Sequence, residues 1–307
     1  MNRNRWGAGA LAPAFLFAAT SGALAHGFAG DRFFPATILT DDPFVADEMS
    51  LPTFTRSPNA ADGSQEYHLD VDLAKRLTPD FGIVIGRGWT YHQSPGMPAV
   101  TGFDALHTAA QYQLFIDGPH EMLGLLGLNV TWAHTGRVQA LAAPDFTTLS
   151  PTFDFGKGFG DLPRSLPYLR PFAITGNLGF DFPTKTESAG TPNPDNFNYG
   201  FAFEYSLPYL QCCVKDIGLR PPFNQLIPLV EVAFSTPMNR TFAGATTTGT
   251  VQPGIIWSGP YFQIAAEAIL PVTHATGHGL GGLIQFHIYL DDLFPRSFGR
   301  PVSEWLQ

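Results

Sequence analysis

Large apolar residues alternate with small or polar ones over segments about ten residues long. In the clearest, Phe197, Tyr199, Phe201, Phe203, Tyr205 and Leu207 are separated by Asn198, Gly200, Ala202, Glu204 and Ser206. Successive side chains of a strand point to opposite faces, so this period predicts a strand with one apolar and one wet face. Tyr67, Leu69, Val71 and Leu73 repeat the pattern against Glu66, His68, Asp70 and Asp72. Residues 172–182 repeat it with Asn177 and Asp181 on the polar row, 262–270 with Glu267, and 280–290 with Gln285 and His287. Weaker alternation marks 81–91, 103–116, 122–134, 146–158, 226–235 and 251–258.

The connections come in two alternating sizes. Residues 75–80, 117–120 and 258–260 are short and carry Pro or Gly turn chemistry, whereas 92–102, 135–145, 184–196, 236–250 and 273–279 are longer and rich in Pro, Gly, Thr and Asn. Short turns on one side and long loops on the other belong to an outer-membrane barrel, and strands of about 9–11 residues match a tilted bilayer crossing. Residues 161–166 and 208–224 fall on the short side but are longer than that rule expects. A secreted β-sandwich has shorter strands and lacks a repeated aromatic face.

Parity completes the count. The strand near residues 66–73 leads into a short turn, so an outward strand must precede it, and residues 49–56 are the material, with Pro52 suited to an edge or strand start. The expectation is an all-β, antiparallel up-and-down transmembrane β-barrel of about 12 strands over residues 48–294, with a periplasmic N-terminal leader at 26–47 and a periplasmic C-terminal tail at 295–307.

Residues 1–25 read as a secretory signal peptide: Arg3 and Arg5, an apolar stretch from Leu11 to Ala19, then Ala23-Leu24-Ala25. Its removal changes the formal charge from −9 to 15 − 26 = −11. No later stretch has the roughly 18 consecutive apolar residues of a spanning helix. With 17 basic against 26 acidic residues, a nucleic-acid partner is not expected.

The signal peptide, alternation and loop asymmetry resemble Gram-negative outer-membrane barrels of the transporter type, in particular those grouped with phenol-degradation-pathway transport proteins. The residues behind this resemblance are Gly156-Lys157-Gly158-Phe159-Gly160-Asp161-Leu162-Pro163 and Tyr289-Leu290-Asp291-Asp292-Leu293-Phe294-Pro295. Such barrels often end on an aromatic residue, whereas Pro295 to Gln307 follow Phe294 here. The resemblance implies a channel or transporter that is not an enzyme.

Candidate chemistry is sparse. His274 and His278 have the spacing of a metal pair but lie in a glycine-flanked loop without further ligands. Cleavage after Ala25 would expose His26, either as a copper chelator or as an ordinary N-terminus. Cys212 and Cys213 are adjacent, either disulfide-bonded or as thiols. No local hydrolase signature is present, although His287 with a serine such as Ser206 is a conceivable pair.

The expected function is passive diffusion of a small solute through an acidic lumen, lined by Glu66, Asp70, Asp72, Asp181, Glu204, Glu267 and His287. A barrel hydrolase and a structural barrel with a filled lumen are the alternatives. Outer-membrane lipid and a small-molecule solute are the expected partners; no cofactor or metal is expected. Phe81, Trp89, Tyr91, Tyr112, Trp132, Tyr168, Tyr199, Tyr205, Trp257 and Tyr261 are expected mostly near strand ends, in two aromatic girdles.

Overall fold

The computed structural model describes residues 27–40, 42–60, 62–137, 144–240 and 246–305. The expected signal peptide and His26 lie outside the described residues.

Twelve long strands form one closed sheet: β1 (Glu48–Arg56), β2 (Gln65–Thr78), β3 (Phe81–Gln93), β4 (His107–Asp117), β5 (Met122–Thr131), β6 (Thr148–Gly158), β7 (Phe172–Pro183), β8 (Asn196–Tyr205), β9 (Leu226–Pro237), β10 (Thr248–Ser258), β11 (Phe262–Pro271) and β12 (Gly281–Tyr289). Each pairs antiparallel with the next in sequence, and β12 pairs with β1 from Gly282↔Arg56 to Tyr289↔Glu48, which closes the barrel. Closure leaves no sheet edge, the condition for crossing a bilayer with strands. A short strand, Val100–Phe103, covers the loop-ward half of β3 while β4 pairs with the other half.

The alternation sorts the side chains by face. On β8, Phe203 stays 47% exposed on the outside while Glu204 beside it is 2% exposed on the inside. Ile264, Ile284, Leu126, Leu128 and Phe180 extend the outer apolar surface. An apolar belt around a closed, edgeless sheet has lipid as its natural solvent.

Some aromatic contacts lie toward the two ends, and others, such as Phe155 with Phe201, lie at mid-strand. Phe172 meets Tyr205 at 4.7 Å and Trp257 meets Phe262 at 5.3 Å at the short-turn end, while Tyr67 meets Tyr91 at 5.9 Å at the loop end. Tyr112 and Tyr199 lie within their strands rather than at a terminus.

The leader departs from expectation. Residues 27–40 and 42–47 do not hang below the barrel; they enter the lumen from the short-turn end, reach the middle of β9 and return to β1. Phe34 and Ala29 are 0% exposed and cluster with Phe44, Ala46, Leu123 and Ala173. Ile227, Leu229, Ile256 and Ala265 form a second inner cluster, against which Phe33 and Ile38 of the leader pack. The physical reason is that much of the inward row of the short-turn half is apolar, through Leu123, Ala173, Ile227, Leu229, Ile256 and Ala265, and apolar wall residues need a dry partner.

The tail packs back on the same end. Lys75 Nζ donates to Arg300 O at 2.7 Å and lies 5.3 Å from the ring centroids of both Phe298 and Trp305. Of the two longer short-side connections, 206–225 contains a helical turn (Leu207–Tyr209) whose start is capped by Ser206 Oγ, which accepts from Tyr209 N at 3.2 Å. A π-turn (Leu210–Val214) follows, and within it Cys212 and Cys213 are joined as a disulfide.

Candidate lumenal site

Two unlike halves make up the lumen. Opposite the β1–β4 wall, β8–β11 hold the leader. Glu231, 0% exposed at the middle of β9, accepts from Leu39 N at 2.9 Å and from Thr40 Oγ1 at 2.9 Å. Gln263 Nε2 donates to Ala36 O at 2.6 Å, and Gln113 on β4 both accepts from Val45 N at 3.0 Å and donates to Pro43 O at 3.1 Å. These inward polar groups satisfy an irregular backbone that has no sheet of its own.

At the short-turn end Arg32 of the leader is fully buried. Its Nε donates to Glu121 Oε2 at 3.1 Å, its Nη1 to Pro171 O at 3.0 Å, and its guanidinium sits 3.7 Å from the Tyr209 ring centroid. Tyr209 in turn donates to Glu121 Oε1 at 2.7 Å, and burial, reinforced by that bond, pushes its hydroxyl up to about 12. Asp47, where the leader joins β1, is 0% exposed and accepts from Lys75 Nζ at 2.6 Å and Arg76 Nε at 3.0 Å.

The expected site residues divide accordingly. Glu204 and Glu267 face inward but are 2% and 6% exposed in the crowded half, so they do not line an open passage as expected. Glu204 accepts from Thr175 Oγ1 at 3.3 Å. Asp181 accepts from Ser150 Oγ at 2.6 Å and Asn198 Nδ2 at 2.7 Å near the loop end. Glu66, Asp70 and Asp72 project inward from β2, and His287 does so from β12.

Along β1–β4 and β12 the acids meet imidazoles in a descending series. At the loop end Glu66 hydrogen-bonds His68 Nε2 at 2.7 Å and His92 Nδ1 at 3.0 Å, while Thr90 Oγ1 lies 2.9 Å from His68 Nδ1 and donates to Asp104 at 2.6 Å. Asp70 lies against Gly88, where a Cβ would stand 2.3 Å from its Oδ1 and displace that carboxylate. Deeper, Asp72 meets His107 Nε2 at 2.5 Å. Lowest, His287 hydrogen-bonds Ser50 Oγ through Nδ1 at 3.0 Å and Glu48 Oε2 through Nε2 at 3.1 Å.

This series ends in a cavity of about 220 Å³ between the wall and the leader, lined by Asp42, Glu48, Ser50, Asp72, His107 and His287 among others. The sequence pattern identified His287 and Asp72 but not Glu48, Ser50 or His107, which come from other strands; nor did it identify Glu231, Glu121 or Arg32. His287 meets Ser50 rather than the suggested Ser206, whose oxygen caps a helical turn. Among the described residues, no group of three or more His, Cys, Asp and Glu side chains has the geometry to hold a metal ion; His274 opens a short helical turn, His274–Thr276, in the loop after β11.

No protein-family model matches the chain, and no curated protein sequence matches it. Solved structures do. The COG4313 outer membrane channel from Pseudomonas putida F1 superposes with a TM-score of 0.57 at 10% identity, covering 80% of this chain and 95% of that one. The NanC porin gives 0.48 at 6% identity over 79% and 98% of the two chains. The translocator domain of the autotransporter NalP from Neisseria meningitidis gives 0.45 at 9% identity over 79% and 88%. The chain has the fold of the Gram-negative outer-membrane β-barrels. That agrees with the expected all-β architecture of about 12 strands, and with the resemblance drawn from its turns.

Proposed function

We propose that this barrel is an outer-membrane channel or transporter that admits a small polar solute from the long-loop mouth, with cations or neutral solutes preferred. The supporting observation is the continuous inward series of Glu66, Asp70, Asp72 and Glu48 down one wall to the polar cavity. Rings and lanes of acidic side chains favour cations, and low-dielectric walls strengthen the field. Reversal potentials across planar bilayers in a salt gradient test the reading. A shift toward the cation potential is expected; anion preference overturns it.

The leader in the short-turn half favours a second reading, a filled barrel that binds a solute without conducting. Absence of any conductance from properly inserted protein would select it. A hydrolase draws support from the Ser50–His287–Glu48 arrangement, which has the order of nucleophile, base and orienting carboxylate. Yet Thr90–His68–Glu66 repeats the same hydroxyl–imidazole–carboxylate order at the loop end, so this motif is read as a lumenal hydrogen-bond pattern. Labelling of Ser50 by a fluorophosphonate, lost in Ser50→Ala, would reverse that preference.

A further inference from the structure

We propose that the 220 Å³ cavity beside His287 is a binding site for a small hydroxylated organic ammonium ion. The inference rests on the reading of the lumen as a solute path and names the solute class that its deepest polar chamber selects.

Three observations converge on it. The first is charge. Asp42, Glu48 and Asp72 supply three carboxylates, and His107 and His287 supply the imidazoles; among the described residues no Lys or Arg lines the cavity. The formal charge of the described lining is therefore −3 with both rings neutral and −3 + 2 = −1 with both protonated. Its sign does not depend on the histidines, so an anionic ligand is disfavoured throughout.

The second is an acceptor without a donor. Gln285, 7% exposed on β12, lines the cavity; its Nε2 donates to Thr53 Oγ1 at 3.2 Å, but its Oε1 is buried with no hydrogen-bond partner. A buried carbonyl oxygen left unpaired costs free energy, which a ligand N–H or O–H recovers once the Gln285 amide turns toward the cavity. The ligand is thus expected to bring donors, as an ammonium or a hydroxyl does.

The third is size and position. About 220 Å³ corresponds to roughly seven water volumes at about 30 Å³ each, enough for a compact molecule but not for an oligomer. Leader residues 36–38 close one side and the imidazole–carboxylate series leads in from the other, so the chamber lies where that series meets the leader.

Three molecules of nearly one shape separate the terms: the ammonium form of tris(hydroxymethyl)aminomethane, neutral pentaerythritol and anionic 2,2-bis(hydroxymethyl)propionate. Their binding to the detergent-solubilised full chain is measured by calorimetry in phosphate buffer at neutral pH. The ammonium is expected to bind at least tenfold more tightly than pentaerythritol, with no heat from the carboxylate. Gln285→Met, which removes the orphan acceptor while keeping the volume, is expected to weaken the ammonium three- to tenfold without lowering the thermal transition. Asp72→Asn is expected to weaken it further and to spare pentaerythritol. Equal affinity for all three molecules, no binding by any, preference for the anion, or indifference of the ammonium to both substitutions overturns the proposal. Bilayer recordings keep the two readings apart: cation-selective current without binding removes the site and leaves the channel, whereas binding without current removes the channel and leaves the site.

Discussion

Glu231 on β9 and Thr40 of the leader are 191 residues apart in sequence and 2.9 Å apart across the lumen, the hydroxyl donating to the carboxylate. The same carboxylate takes the Leu39 and Thr40 amides, so one wall residue holds the innermost bend of the leader. Glu231→Ala removes the acceptor from three donors in a dry environment, and docking of this bend is expected to weaken by about 3 kcal/mol. By hydrogen exchange, the Leu39 and Thr40 amides should exchange about a hundredfold faster, with strand protection retained.

Arg32 and Glu121 form a buried ion pair at the short-turn end, with side chains 0% and 6% exposed. Arg32→Met leaves the carboxylate buried without its counter-charge, at an expected cost of about 3–5 kcal/mol. Adding Glu121→Gln should return part of that loss, because the amide removes the stranded charge while its one oxygen still accepts from Gly160 N and its N–H can donate to a turned Tyr209 hydroxyl. Urea unfolding of the single and double variants in lipid vesicles measures the difference.

Phe201 projects outward from the middle of β8, in contact with Phe155 of the neighbouring outer row. If lipid covers that row, Phe201→Arg costs about 2–4 kcal/mol at mid-depth. The same unfolding measurement checks it, and a cost near zero would contradict the bilayer placement.

Tyr209 gives a pH signature. Its folded pKa is raised above the unfolded value near 10 to about 12, so the contribution of its hydroxyl is complete below pH 10 and is lost as pH rises toward 12. Leader protection measured by exchange or proteolysis should fall over that interval in the wild type. Tyr209→Phe should show weaker protection at neutral pH and no further loss from this group.

Legibility in the sequence followed from how many faces of a strand are covered by different media. β8 is read without ambiguity because lipid takes Phe201 and Phe203 while the lumen takes Ala202 and Glu204. Met122 to Leu126, Leu226 to Val230 and Ile255 to Trp257 alternate poorly because both of their faces are apolar, one toward lipid and one toward the leader. Runs apolar on both faces signal cover on both sides. That signal, together with Phe28, Phe33, Phe34 and Phe44 in so short a leader, would have placed residues 27–47 indoors. The site was half legible for a different reason. Asp72 and His287 lie on well-patterned strands, but Glu48 and Ser50 lie on the weakest, and they meet His287 only through the β1–β12 seam, between residues 239 and 237 positions apart. Local periodicity carries no information about such a meeting.

The leader is continuous with β1 through Asp47, and this connection changes what its detachment would mean. A separate plug, once released, is diluted away. A tethered one explores only the volume its chain allows, which sets an effective concentration on the order of millimolar for a short flexible link. Release and return are therefore first-order events within one molecule, independent of how much protein the membrane holds, and a transient opening carries its own means of closing again.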